Sequence, residues 1–229
     1  MRIRNVVLLF ALFAFASSLA FVMVASPSNI ALFLVIKNNV ERKQPAAGWV
    51  KAKKGDFIYG DDFVRTQKES FTLIKFNDAS TLRLGPNAEV QVYGEKDPAS
   101  VNINSGDVGF QIAKRKSGKF EFTTPTSVAS IRGTEGLLTV QLDGTDFLTI
   151  VEGLVRFANK SSNKFIDVGS GQTGRSSKDG NIIVRPSTQG DLNRLTNLDN
   201  ELGQQQHKLE MWFRGSDGKL HKIIIESEK

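Results

Sequence analysis

Between Ile30 and Val184 the side chains alternate with a period of two. Val90 and Val92 are interleaved with Glu89, Gln91 and Tyr93, and Val108, Phe110 and Ile112 with Gly109, Gln111 and Ala113. Phe120 and Phe122 flank Glu121, Leu138, Val140 and Leu142 alternate with Leu137, Thr139 and Gln141, and Val155 and Phe157 flank Arg156. This period sends successive side chains to opposite faces of a strand, one into a core and one toward water. Turn-forming residues cut the run about every ten positions: Asn77-Asp78, Gly85-Pro86-Asn87, Asp97-Pro98, Ser105-Gly106-Asp107, Asp143-Gly144 and Asp179-Gly180-Asn181. No crossover helix interrupts these strands, which argues against a parallel α/β sheet. The pattern predicts a mainly β domain over residues 26–186, built as a sandwich, barrel or solenoid of short strands.

The period changes after Pro186. Leu192, Leu195, Leu198 and Leu202 recur at helical spacing on one face, and Thr188 with Asp191 has the form of a capping box, with Asp in place of the usual Glu or Gln. Alternation returns at Leu209, Met211 and Phe213; Gly215-Ser216-Asp217-Gly218 then reads as a turn and Leu220–Ile225 as the return strand. Residues 187–229 are therefore expected to form a helix and a β-hairpin. Because a lone hairpin is marginal in water, this segment is expected to dock onto the β body.

The N-terminus reads as an address. Arg2 and Arg4 precede an apolar run from Val6 to Phe15, and Ser18-Leu19-Ala20 fits the small-x-small rule of signal peptidase. The uncharged stretch Val6–Ala25 is also long enough to span a bilayer as an uncleaved anchor. Residues 1–25 are read as a signal peptide or N-terminal anchor, and the rest as periplasmic or extracellular, whether free or held at the inner membrane. The formal charge of +6 taken globally suggests nucleic acid, but its distribution argues otherwise. Residues 1–36 contribute +2 and residues 37–54 contribute +5, while 55–229 carry 22 basic and 23 acidic side chains. A phosphate backbone needs basic residues spread across the binding domain, so nucleic acid is not an expected partner. The basic patch is a solvated loop or a contact for anionic lipid headgroups.

Residue types narrow the chemistry further. There are no cysteines and only two histidines, His207 and His221, which excludes disulfide frameworks, thiolate metal sites and cysteine nucleophiles. The two histidines are expected roughly opposite each other on the hairpin, short of the third ligand that a metal requires. Asp61 with Asp62, and Asp143 with Asp146, lie near turns and are read as turn formers, too sparse for a calcium loop. The Lys114–Lys119 loop has no Walker spacing. Trp49 and Trp212 are read as packing or contact residues. Within Arg132-Gly133-Thr134-Glu135 the strand period puts Arg132 and Thr134 on one face and Glu135 on the other, which fits a turn better than a ligand site. No catalytic residue, metal or cofactor is expected.

Five stretches together resemble the FecR family, the extracytoplasmic domain of ferric-citrate-type regulators and of stand-alone exported bacterial proteins. Gly60-Asp61-Asp62-Phe63-Val64-Arg65-Thr66 is similar to its early strand, and Phe76–Asn87 to its F-x-D-G-S-x-L-x-L-G-P-N segment. Phe122–Glu135 is similar to the signature containing TPT and RGTE; Glu152-Gly153-Leu154-Val155 and Gly171-Gln172 resemble the closing pieces. These cover about residues 50–175. Thr124, Pro125, Thr126, Arg132, Gly133, Thr134 and Glu135 are the family-motif residues, with a structural role expected.

The resemblance implies a β-solenoid or roll of short stacked strands. Two departures stand out: Ala79 where the family has Gly, which suggests a different turn type because Ala disfavours positive φ, and Gly136 where an aromatic often follows, which suggests a gap or a close backbone approach. Only Met1–Asn5 precede the apolar run, too little for the cytoplasmic anti-sigma segment of the regulators, so their activity is not expected to carry over. The reading is an exported, non-enzymatic FecR-domain protein that interacts with or senses an envelope protein. The alternatives are a carbohydrate-binding or structural envelope protein whose partner is a polysaccharide, and a membrane-anchored signal-transduction regulator lacking the anti-sigma segment.

Overall fold

The computed structural model describes residues 29–94, 100–114, 119–206, 208–214 and 220–226. The proposed signal or anchor segment, the Asp97-Pro98 turn, most of the Lys114–Lys119 loop and His207 lie outside the described residues.

The alternating region forms strands β1 (Asn29–Lys37), β2 (Val40–Lys43), β3 (Val50–Lys51), β4 (Phe57–Tyr59), β5 (Phe63–Thr66), β6 (Phe71–Phe76), β7 (Thr81–Leu84), β8 (Glu89–Tyr93), β9 (Ser100–Gln111), β10 (Phe120–Thr123), β11 (Ser127–Ile131), β12 (Glu135–Val140), β13 (Thr145–Glu152), β14 (Leu154–Asn159), β15 (Phe165–Gly169), β16 (Gln172–Ser177) and β17 (Ile182–Pro186). They pair in two layers. Layer A runs β4-β1-β6-β7-β9-β12-β13-β16-β17. Layer B runs β3-β2-β5-β8-β9-β10-β11-β14-β15.

β9 belongs to both layers. Residues up to Ser105 pair with β8 and β10, and residues from Gly106 pair with β7 and β12. The expected turn at Ser105-Gly106-Asp107 is thus a bend inside one continuous strand. Gly106 has φ +93, and a Cβ there would stand 2.5 Å from Ala88 Cα, so both the conformation and the close approach call for glycine.

The mainly β expectation holds, and the sheets are open. Every described pairing except β9–β10 is antiparallel, so the registers do not show the parallel rungs of a solenoid. Instead, hairpins β10–β11, β12–β13, β14–β15 and β16–β17 alternate between layers. Strict alternation is common to both architectures, which is why the sequence pattern does not separate them.

The core lies between the layers. Phe76 meets Phe120 edge-on at 5.4 Å, and Phe110 meets Phe122 at 5.0 Å. Phe33, Ile58, Ile74 and Leu82 of layer A share this core with Val64, Val90, Ile103 and Phe157 of layer B, all fully buried. Each such side chain stabilises the fold by ~1.5–3 kcal/mol through removal from water. One expected core position fails: Leu142 is 93% exposed at the β12–β13 turn, where the strand has already ended.

Helix α1 (Gln189–Gln206) forms a third layer on the outer face of layer A. The capping box is present: the Asp191 carboxylate accepts from Thr188 N at 2.7 Å, and Thr188 Oγ1 accepts from Asp191 N at 3.3 Å. Leu195 and Leu198 pack on Leu137, Leu202 packs on Val35 and Leu73, and Phe71 lies between the two groups. Leu192 is only half-buried. Gly109 leaves the space that Leu195 and Leu198 enter; a Cβ there would lie 3.0 Å from Leu195 Cδ1.

Strands β18 (Lys208–Arg214) and β19 (Leu220–Glu226) form the expected hairpin. Its register sets His221 opposite Phe213 and Lys208 opposite Glu226, so His221 does not face His207 as the sequence suggested. The expectation fails on counting: strands joined by a four-residue turn at 215–218 would set position 207 across from 226, not 221.

Candidate functional site

The TPT motif is a turn that fastens layer B to layer A. After β10, Thr124 Oγ1 accepts from Thr126 N at 3.1 Å and Ser127 N at 2.8 Å, while Thr124 N donates to Ser127 O at 2.9 Å. Pro125 sits inside this turn, where its fixed φ costs nothing. The Thr124 hydroxyl donates to Asp146 Oδ2 at 2.6 Å, and Thr126 Oγ1 donates to Gly144 O at 3.0 Å. Lys160, just past the end of β14, closes the motif, its Nζ donating to Thr124 O at 2.5 Å.

Asp146 is therefore not a turn former. It lies in β13, fully buried, and its Oδ1 has no hydrogen-bond partner among the described residues. Burial pushes its carboxyl above the ordinary aspartate range, opposed by the Thr124 and Ser127 hydroxyls. Its neighbour in sequence, Asp143, is exposed and accepts from Thr145 N at 2.8 Å, as a turn aspartate does. Asp61 and Asp62 divide in the same way: Asp61 takes φ 68 on the surface, whereas Asp62 is buried and accepts from Tyr59 N at 3.0 Å. Burial raises the Asp62 carboxyl as well. Each pair thus holds one turn residue and one buried carboxylate, a division that spacing alone does not reveal.

The RGTE motif is also a turn. β11 ends at Ile131, Gly133 takes φ 63, and the buried Thr134 donates to Arg132 O at 3.4 Å. Glu135 opens β12 and reaches Arg83 at 3.5 Å; Arg83 also holds Asp199 of α1 at 3.1 Å. Burial raises the Asp199 carboxyl, Arg83 opposing and Glu135 adding to the shift. The motif thus anchors the helix through Arg83. The close approach expected at Gly136 is present: a Cβ there would lie 2.4 Å from Thr149 O.

Another stitch escaped the sequence reading. Buried Asn159 donates to Ser176 Oγ at 2.8 Å and Ser177 O at 2.9 Å, and its Oδ1 accepts from Ser161 N and Ser162 N. Its partners are up to eighteen positions away, beyond any local motif.

Two surfaces remain open. The outer face of layer B mixes polar side chains with the exposed Leu154 and Phe165, and among the described residues it bears no helix. At one end Trp49 meets Phe63 edge-on, with the Arg65 guanidinium 4.0 Å from the Trp49 ring and Lys43 Nζ 4.4 Å from the Phe63 ring, a packing role for Trp49. The Trp212 side chain lies outside the described set. In the middle of this face, where β9 and β10 part, a groove of about 380 Å³ opens beside Thr124. The second surface is strand β17, which pairs only with β16 among the described residues and leaves Ile183 46% and Val184 41% exposed. No group of three or more His, Cys, Asp or Glu suited to a metal ion occurs among the described residues.

Residues 62–156 match the family described as FecR protein. Two solved structures of candidate anti-sigma factors from Parabacteroides distasonis ATCC 8503 share the fold. One has TM-score 0.51 at 11% identity over 66% of this chain and 68% of its own; the other has TM-score 0.50 at 10% identity over 72% of this chain and 99% of its own. No curated protein matches the chain.

Proposed function

The chain carries a FecR domain over residues 62–156, and from that premise we propose that it is a signalling or regulatory module that works by binding another protein outside the cytoplasmic membrane. The observation that carries this reading is the open edge of layer A. Among the described residues strand β17 has no partner on its outer edge, and it exposes Ile183 and Val184; an incoming strand can add to such an edge. The anti-sigma assignment of the structural neighbours supports a regulatory role. The export-type order of the N-terminal residues supports a location in the envelope. The reading is non-enzymatic: Glu135 is held by Arg83, and Asp146 lies beneath a turn.

A photoreactive residue placed at Val184 in the full chain tests this in its native cells. A discrete adduct with a second envelope protein is expected, lost in Ile183→Lys and absent when the probe sits at Lys75. Equal adducts from both positions, no adduct, or recovery of the chain in the cytoplasm contradicts the reading.

A further inference from the structure

The groove in the outer face of layer B is built by the one parallel pairing among the described residues. β9 and β10 run together from Ser100–Glu121 to Asn102–Thr123. β10 then turns away at Thr124, while β9 continues toward layer A, and a trough of about 380 Å³ is left between them. That size falls within the range of small-ligand sites, ~300–1,000 Å³. Tyr93, Ser100, Asn102, Asn104, Thr123 and Lys160 line it.

The lining is rich in neutral amides and hydroxyls whose orientation is already set. Asn104 Nδ2 donates to Glu89 Oε1 at 2.9 Å, and Asn102 Nδ2 donates to Asn104 Oδ1 at 3.3 Å. This relay fixes which atom of each amide is oxygen and which is nitrogen. Asn102 Oδ1 and the Thr123 hydroxyl take no protein partner among the described residues. The Tyr93 hydroxyl bonds Gln91 Oε1, which holds the ring at the rim. Gln91, Asn102 and Thr123 stand in one row across three neighbouring strands, repeating a polar group every ~4.8 Å.

The charges select the ligand. Lys160 is committed to Thr124 O, and one Glu89 oxygen to Asn104. One cation and one carboxylate at the margins leave no field of single sign for an ion to exploit. A ligand that both donates and accepts at each polar position, and that can lay an apolar C–H face on an aromatic ring, satisfies this surface fully. From these features we infer that the groove is a binding site for a neutral glycan, lying across β8, β9 and β10. The site is on rigid strands, so little ordering cost attends binding, and it is separate from the β17 edge.

The full chain titrated with uncharged tetrasaccharides of glucose, mannose and N-acetylglucosamine, followed by NMR of the asparagine side-chain amides, tests the assignment. A tetragalacturonate and a neutral tetrapeptide complete the set. At least one uncharged sugar is expected to shift the Asn102 and Asn104 amides saturably. Asn102→Ala combined with Thr123→Val should weaken that binding by at least about tenfold, with the melting temperature and β17 cross-linking unchanged. The inference is overturned by an absence of shifts with every uncharged sugar at millimolar concentration. It is equally overturned by response to the acidic sugar or the peptide alone, or by full binding in the double variant while it remains folded. Asn104→Ala, read in the same way, guards against a folding defect in the first variant.

Discussion

The two outer faces of the β body have opposite fates. Layer A is apolar on both sides: Val35, Leu73 and Leu137 look outward and are covered by Leu195, Leu198 and Leu202 of α1. Layer B is buried only on its inward side; its outer rows carry amides, hydroxyls and ion pairs such as Glu41 with Arg65, whose hydrogen bonding to Glu41 lowers that carboxyl's pKa, alongside the exposed Leu154 and Phe165. One layer uses its outer surface for stability, and the other leaves it free for contact. Ion pairs frame the helix on its side: Lys37 with Glu201, Arg83 with Asp199, and Arg194 with Asp107.

The sharpest way to break this contrast is to remove the cover. Leu198→Ala should cost ~2–5 kcal/mol, the range for emptying a buried leucine site, read as a lower midpoint in urea unfolding. A cost below ~0.5 kcal/mol, the usual scale for surface substitutions, would mean that the helix does not seal layer A.

A smaller effect is expected at the stitch between layers. Asp146→Ala strands the buried Thr124 hydroxyl donor and should cost ~1–3 kcal/mol. Its pH behaviour is more diagnostic. The folded carboxyl titrates above its unfolded value, so the native state holds the proton more tightly. Stability is therefore greatest below the unfolded value, near ~3.9, and falls as pH rises through the folded one. Asp146→Asn should flatten that fall in a series of melts across pH. Asp191 works in the opposite sense: hydrogen bonding from Arg185 drives its pKa well below the ordinary range, so its contribution is lost as pH drops below the unfolded value.

Next in size comes a gain. Ala79 keeps a left-handed backbone, φ 70, in the β6–β7 turn, contrary to the expectation that alanine would change the turn. Ala79→Gly should relieve ~1–2 kcal/mol of that strain, less the entropy that glycine adds to the unfolded chain. A drop in melting temperature would contradict this account.

The smallest change belongs to layer B. Ser130→Ala, on its outer face, should move stability by less than ~0.5 kcal/mol. A large loss there would show that this face is not free.

Much of this was legible in the residues. Alternation located the strands, the leucine spacing located α1, and Thr188 with Asp191 marked its start. The continuous apolar run Ala31–Ile36 and the adjacent Leu137-Leu138 carried a further signal, since strands buried on both faces lose their alternation; that signal identifies the covered layer. Other features depended on distant partners. Gly106 reads as a turn because the same positive φ serves a turn and a bend, and only the approach of Ala88 separates them. Asp146 reads as a turn residue because Thr124 is 22 positions away. Leu142 continues the alternation past the point where the backbone has already reversed. The motif residues 124–126 and 132–135 were read as structural, and the hydrogen bonds show what they join without assigning them chemistry.

The chain contains no cysteine, so single cysteines can report on each face against a silent background. Rates of maleimide labelling at Leu137→Cys and Thr123→Cys in the native protein compare the two most directly. Thr123→Cys, half-buried in the groove, should label in the native state though more slowly than a free thiol, and Leu137→Cys only after denaturation. Equal native rates, or protection at position 123, would contradict a covered layer A and a free layer B.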